Sequence, residues 1–130
     1  MAAKIKNNKS KKVLIVEDDT FLVKAYTIRF EKESIDVDVA TNAEEALQYF
    51  KKKPADAVLL DIMLPGSSGF ELLEEIKKIE NWKNVPVIIV SNLSQDKDIE
   101  LGKKLGAVGY IVKADVKVGD VVKEVIRHLS

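Results

Sequence analysis

The stretch KVLIVEDD, residues 12–19, runs from a lysine through four consecutive apolar residues into three acids. Val13 to Val16 are apolar at successive positions, so both faces of a strand here would be covered, as in a parallel strand packed between helices. The pattern returns along the chain. Lys12 to Glu17, Ile35 to Val39, Ala57 to Asp61, Val85 to Val90 and Gly109 to Lys113 read as five strands. Four are apolar on both faces, whereas Ile35, Val37 and Val39 alternate with Asp36 and Asp38, which predicts a half-exposed edge strand.

Amphipathic stretches separate the strands. One helix is predicted near Thr20 to Glu33 and a last, valine-rich one over Asp120 to Leu129, the latter dependent on packing because valine is a poor helix former. Thr41 with Glu44, and Ser68 with Glu71, have the spacing of capping boxes, and Gly106 fits a helix stop. Ala43, Ala46, Leu47 and Phe50 supply one buried helical face; Leu72, Leu73, Ile76 and Ile79 supply another. Strand ends near residues 17, 39, 61, 90 and 113 are 22, 22, 29 and 23 residues apart, each step one strand and one crossover helix. Repeated right-handed βα units give an α/β fold, a doubly wound parallel five-stranded sheet with helices on both faces.

Composition narrows the function. The 130 residues include no cysteine, which removes thiol catalysis, zinc fingers and Cys-ligated clusters. At this length roughly two-thirds of the unfolded surface is buried on folding, enough for a core without a disulfide or structural metal. The longest apolar run, Val85 to Val90, contains a proline and falls far short of the ~20 residues of a membrane helix, so no membrane association is expected. Residues 1–12 carry five lysines and no acid, leaving 16 basic and 21 acidic groups in the remainder. An acidic body argues against nucleic-acid binding by the folded part. Residues 1–11 are expected to be a disordered basic tail and residues 12–130 the folded domain, in the cytoplasm because no apolar signal segment is present.

In an open parallel sheet, ligands bind beyond the carboxyl ends of the strands. Those ends carry Glu17, Asp18 and Asp19, then Asp61, then Ser91, then Lys113. Several carboxylates at one mouth repel and require a cation. Oxygen ligands without His or Cys select a hard ion with room for water and phosphate, which points to Mg²⁺. Asp61 is suited to attack phosphorus and form an acyl phosphate, with the metal and Lys113 balancing the charge in flight and Ser91 donating a hydroxyl hydrogen. Asp19 fits a helix-capping acid as well as a neighbour of the metal site.

These residues resemble the receiver domain of two-component response regulators, over about residues 12–129. VLIVEDD (13–19) matches the acidic-pair strand with Glu17 and Asp18; LLDIMLPGSSG (59–69) matches the phosphoacceptor loop; VIIVSN (87–92) places Ser91, and GYIVK (109–113) places Lys113. The resemblance implies a flavodoxin-like (βα)5 fold with strand order 2-1-3-4-5, Asp61 as phosphoacceptor, and the backbone carbonyl of Met63 as a metal ligand beside Glu17, Asp18 and Asp61. It also implies a switch in which Ser91 moves toward the phosphoryl group and Tyr110 turns inward, changing the surface of helix four, strand five and helix five. The implied partners are a histidine kinase or histidine phosphotransfer protein as donor and a downstream protein as target. The chain is expected to be a monomer, with dimerisation on phosphorylation left open, and not an enzyme beyond catalysing its own phosphorylation and dephosphorylation.

Departures from the family pattern are local. Ala114 stands where a proline after a cis bond is usual, and a cis bond before alanine would cost about 3 kcal/mol, so a trans loop is expected. Asn92 replaces a usual small residue. Met63 and Leu93 are apolar where an attacking water would be oriented, which predicts slow self-dephosphorylation. Two other functions remain. An aspartyl phosphatase of the haloacid-dehalogenase type needs a second acid where Met63 stands, and a phosphorylation-independent receiver-like binding module is favoured by Ala114 and Asn92 but opposed by Asp61. No output domain follows Ser130, so signalling is expected through the Tyr110 surface, or else the chain is a fragment of a longer regulator. Trp82 is expected at the end of the sheet opposite Asp61, and His128 on the exposed surface.

Overall fold

The computed structural model describes residues 10–129, so nearly all of the expected basic tail lies outside the described residues. Five parallel strands form the sheet: β1 (Lys12–Val16), β2 (Asp36–Ala40), β3 (Ala57–Leu60), β4 (Val87–Ser91) and β5 (Gly109–Val112). Their spatial order is β2-β1-β3-β4-β5, the order that the resemblance implies. The crossovers are α1 (Thr20–Lys32), α2 (Ala43–Tyr49), α3 (Gly69–Lys77) and α4 (Asp96–Lys104), with α5 (Val118–Arg127) closing the chain.

Alternation along the strands sorts the core into two layers. Leu14, Val16, Val58, Leu60, Val87 and Ile89 face one side, against Phe50, Leu72, Leu73, Ile76 and Trp82. Val13, Ile15, Ala57, Leu59, Ile88 and Val90 face the other, against Tyr26 and Phe30 of α1 and Val121, Val122 and Val125 of α5. A strand buried on both faces leaves no position for a polar side chain until the strand ends. That is why the chemistry collects at the termini of β1, β3 and β4.

Several boundaries differ from the sequence reading. β2 begins at Asp36, one residue late, because Ile35 is buried in the α1 turn, where its N–H donates to the Phe30 carbonyl at 3.0 Å. The N-cap of α2 is Asn42, not Thr41: its side chain accepts from the Glu45 N–H at 2.8 Å, and Glu45 reaches back to the Thr41 N–H at 2.7 Å. The Ser68–Glu71 capping box on α3 is present. α5 starts at Val118 instead of Asp120, because the Asp120 carboxylate accepts from the Lys117 N–H at 3.0 Å and draws two more residues into the helix. Gly106, at φ 107°, ends α4 as expected. β5, read as covered on both faces, is half-buried along its length because it is an edge strand. His128 is half-buried against Glu124 at 3.3 Å, not fully exposed. No cis peptide occurs among the described residues, so the Lys113–Ala114 bond is trans.

Candidate functional site: an acidic mouth bridged by a lysine

Register brings the site together before any side chain is considered. Val16 pairs with Leu60, so the next residues, Glu17 and Asp61, emerge level on adjacent strands. Their main chains stay tied to the sheet: Asp61 N–H donates to the Val16 carbonyl at 2.9 Å and Glu17 N–H to the Ala40 carbonyl at 3.0 Å. On the far side Ser91 pairs with Val112, which sets Lys113 at the mouth.

The loop after Asp61 is shaped by two glycines. Met63–Leu64 pairs with Ser67–Ser68 in a short hairpin whose corner holds Pro65 and Gly66; Gly66 has φ 79°, a conformation that glycine adopts without a steric penalty. Gly69 then opens α3 against the strand end, where a Cβ would lie 2.5 Å from the Asp61 carbonyl oxygen. Any larger residue would push α3 away and move Asp61.

Carboxylate oxygens of Glu17, Asp18 and Asp61 lie within 4.8 Å of one another. Glu17 is 1% and Asp61 3% exposed, whereas Asp18 is open to solvent. Lys113 Nζ sits 2.9 Å from Asp61 Oδ2 and 2.9 Å from Glu17 Oε1. The first contact is an aligned hydrogen bond; at the second, Glu17 Oε1 lacks hydrogen-bond alignment with any donor among the described residues. Burial pushes the Glu17 carboxyl up to about 7, the pull of Lys113 offsetting that only in part and the Asp61 charge adding to it. Burial acts on Lys113 in the opposite sense, but the two carboxylates beside it, Asp61 and Glu17, outweigh it and hold the ammonium above the ordinary lysine range.

One lysine thus faces two buried acids, and Glu17 keeps an oxygen aimed into the mouth without an aligned donor. Oxygen donors only, one of them unsatisfied, fit a hard divalent cation. Asp18 supplies a third carboxylate on the solvent side. The Met63 backbone is at hand as well, since its N–H donates to Asp61 Oδ1 at 3.0 Å. Asp19 does not join the acids: it caps α1, accepting from the Phe21 and Leu22 N–H groups at 3.0 and 3.2 Å.

Ser91 is fully buried, and its Oγ accepts from the Leu93 N–H at 3.2 Å. Tyr110 reaches the same residue from β5, its hydroxyl donating to the Leu93 carbonyl at 2.6 Å. The tyrosine ring has room because α4 carries Gly102, where a Cβ would come within 3.0 Å of it. The sequence reading missed Gly102; a glycine inside a helical pattern is the signal that was available. A wider groove of about 550 Å³ lies between α1 and α5, flanked by Arg29, Glu33 and Lys123, and no strand-end acid lines it.

The family model described as the response regulator receiver domain matches residues 13–125. The probable transcriptional regulator ycf29 of Porphyra purpurea is 36% identical over 101 residues, 78% of this chain and 48% of that protein. The response regulator GtcR of Aneurinibacillus migulanus is 36% identical over 104 residues, 80% of this chain and 42% of that protein. The chain therefore spans about half the length, or less, of these relatives. Among solved structures, a CheY-like receiver domain protein from Methanospirillum hungatei JF-1 aligns with a TM-score of 0.85 at 29% identity, covering 93% of this chain and 94% of that one. The family match opens on the first buried residue of β1 and closes inside α5, so it takes in every strand and loop described above. This chain belongs to the response regulator receiver domain family of two-component signalling.

Proposed function

We propose that the chain accepts a phosphoryl group from a phosphohistidine onto Asp61, with Mg²⁺ held by Glu17, Asp18, Asp61 and the Met63 carbonyl. The observation that carries this reading is the single lysine placed 2.9 Å from both Asp61 and Glu17 at the mouth of a parallel sheet. In the transfer, an Asp61 carboxylate oxygen attacks phosphorus while the nitrogen–phosphorus bond of the donor breaks. The leaving imidazole keeps the electron pair and takes a proton from solvent. Bound Mg²⁺ would neutralise charge on the phosphoryl oxygens. Lys113, already at Asp61, has only to turn toward the arriving oxygens.

Ser91 has a hydroxyl hydrogen with no protein acceptor among the described residues, free to be donated to the phosphoryl group. If Ser91 moves, it releases the Leu93 N–H. Leu93 also holds the Tyr110 hydroxyl, so its peptide links the two switch residues, and the target surface of α4, β5 and α5 changes with them. The downstream partner is a protein that reads this surface. No helix among the described residues is long and apolar enough to cross a membrane, and the proposal places the domain, residues 12–130, in the cytoplasm. Apolar Met63 and Leu93 near Asp61 and Ser91 leave no group to orient water, so the phosphoryl group persists for minutes or longer; loss within seconds would contradict this.

The test is intact mass after incubation with Mg²⁺ and acetyl phosphate, beside Asp61→Asn. One phosphoryl adduct that requires Mg²⁺ and is absent from Asp61→Asn is the expected result. A folded protein that takes no phosphoryl group from acetyl phosphate or from phosphorylated histidine kinases overturns it. The phosphorylation-independent binding module would then be the better reading, and Ala114 is the feature that favours it.

A further inference from the structure

Tyr26 lies in the middle of α1 and is 1% exposed, one of the largest fully buried side chains. Other polar aromatics have found partners: the buried Trp82 indole N–H donates to the Lys52 carbonyl at 3.1 Å, and the half-buried Tyr110 donates to the Leu93 carbonyl. The Tyr26 hydroxyl has no protein hydrogen-bond partner among the described residues. A hydroxyl in so apolar a setting, without a protein partner, is normally satisfied by an ordered water. Tyr26 lines a cavity of about 50 Å³ whose wall includes Lys113, Lys117, Leu22, Val118 and Val121. One water needs roughly 10–15 Å³ of such space and two or more polar partners. Lys113 supplies one, since an ammonium has three donors and Asp61 with Glu17 engages at most two of them.

The loop that carries Lys113 has little else to hold it. It is a single 3₁₀ turn, Lys113–Asp115, in which Ala114 leaves the main chain free of proline's constraint. The Val116 N–H to Lys113 carbonyl contact is long, at 3.5 Å.

We propose that Tyr26 is a positioning residue for Lys113: its hydroxyl, through an ordered water in this cavity, binds the third donor of the ammonium and aims the group at Asp61. Valines and a leucine back the cavity, and its mouth is open to solvent, so the bridging water is supplied from outside while the ammonium makes a charge-assisted hydrogen bond to it. Burial, with the Glu17 charge next in importance, keeps the phenol protonated up to about pH 12, so it remains a hydroxyl at all working pH. The value of this position for phosphorylation rests on the proposed role of Lys113, and the experiment separates the two.

The experiment is lysine-selective ¹⁵N NMR of the metal-free full chain, with the Lys113 ammonium assigned by Lys113→Arg. In Tyr26→Phe the ring stays and only the hydroxyl goes. Ammonium exchange with water should accelerate about tenfold, the equivalent of one lost hydrogen bond to a charged group, with the amide spectrum otherwise retained. Val121→Ile, which fills the cavity and keeps the hydroxyl, should have the same effect, and it carries the test should Tyr26→Phe not fold. Phosphorylation by acetyl phosphate should slow severalfold in both. Unchanged ammonium exchange in a folded variant overturns the positioning role, whatever the phosphorylation rate. Accelerated exchange in a protein that never takes a phosphoryl group supports the positioning role and overturns only the phosphoacceptor reading.

Discussion

At the amino end of the sheet, Trp82 is 1% exposed, packs against Phe50 with ring centroids 5.2 Å apart, and donates its indole hydrogen to the Lys52 carbonyl. At the carboxyl end, Glu17 is equally buried, yet it carries an oxygen without an aligned donor beside a second buried acid. Both groups sit against the same strands and the same core. One is placed where every polar atom is satisfied, so its burial is nearly all gain; the other sits in conflict with its surroundings, which only a lysine eases. In a marginally stable domain such a conflict is affordable because the opposite end is so well packed. The comparison teaches that stability and chemistry occupy opposite ends of one sheet.

The sharpest way to break this division is Trp82→Ala. Removal of a large buried aromatic should cost about 3–5 kcal/mol in urea unfolding. Under native conditions the variant should still form the Mg²⁺-dependent adduct at Asp61. A folded variant unable to form it would show that the two ends are not separable.

A smaller effect of opposite sign is expected at the other end. The Glu17 carboxyl titrates near 7 when folded, above its value of 4.5 in a free side chain. For an acid raised on folding, the native state binds the extra proton, so its contribution is fully present below pH 4.5 and is lost as pH rises through 7. Metal-free Glu17→Gln does not titrate and should be more stable than the parent by about 1–2 kcal/mol at pH 8, because the amide carries no charge into the buried site. The advantage should shrink as pH falls toward 5. Equal pH dependence in the two proteins would remove the conflict on which the comparison rests.

The smallest expected effect is none at all. Trp82, at the far end of the sheet, should change its fluorescence little on addition of Mg²⁺ while reporting global unfolding fully. A large Mg²⁺-dependent change would mean that the ends communicate through the sheet.

Much of this division was legible in the residues. Runs of four or five apolar residues cannot tolerate a charge until the strand stops, so the acids after Val16 and Leu60 and the hydroxyl after Val90 mark the mouth by elimination. Strand order and register were not legible in this way; the order came from resemblance, and register depends on pairings such as Val16 with Leu60 that no single segment encodes. The cap of α2 was missed because Thr41-x-x-Glu44 and Asn42-x-x-Glu45 satisfy the same rule one residue apart, and only the reach of Glu45 back to Thr41 separates them. Tyr26 has no signal of its own in the sequence, since nothing local shows that it lines a cavity shared with a lysine 87 residues later in the chain.

Strand order also bears on how the chain folds. β1 pairs with both β2 and β3, so the first three strands and their two helices can close on one another before β4 and β5 join. That early unit already contains Glu17, Asp18 and Asp61, but not the lysine that eases them. Arrival of β5 therefore brings more than one further edge strand: it delivers the neutralising charge. Late docking is drawn in by attraction that the early half has set up, and salt, which screens that attraction, should slow it.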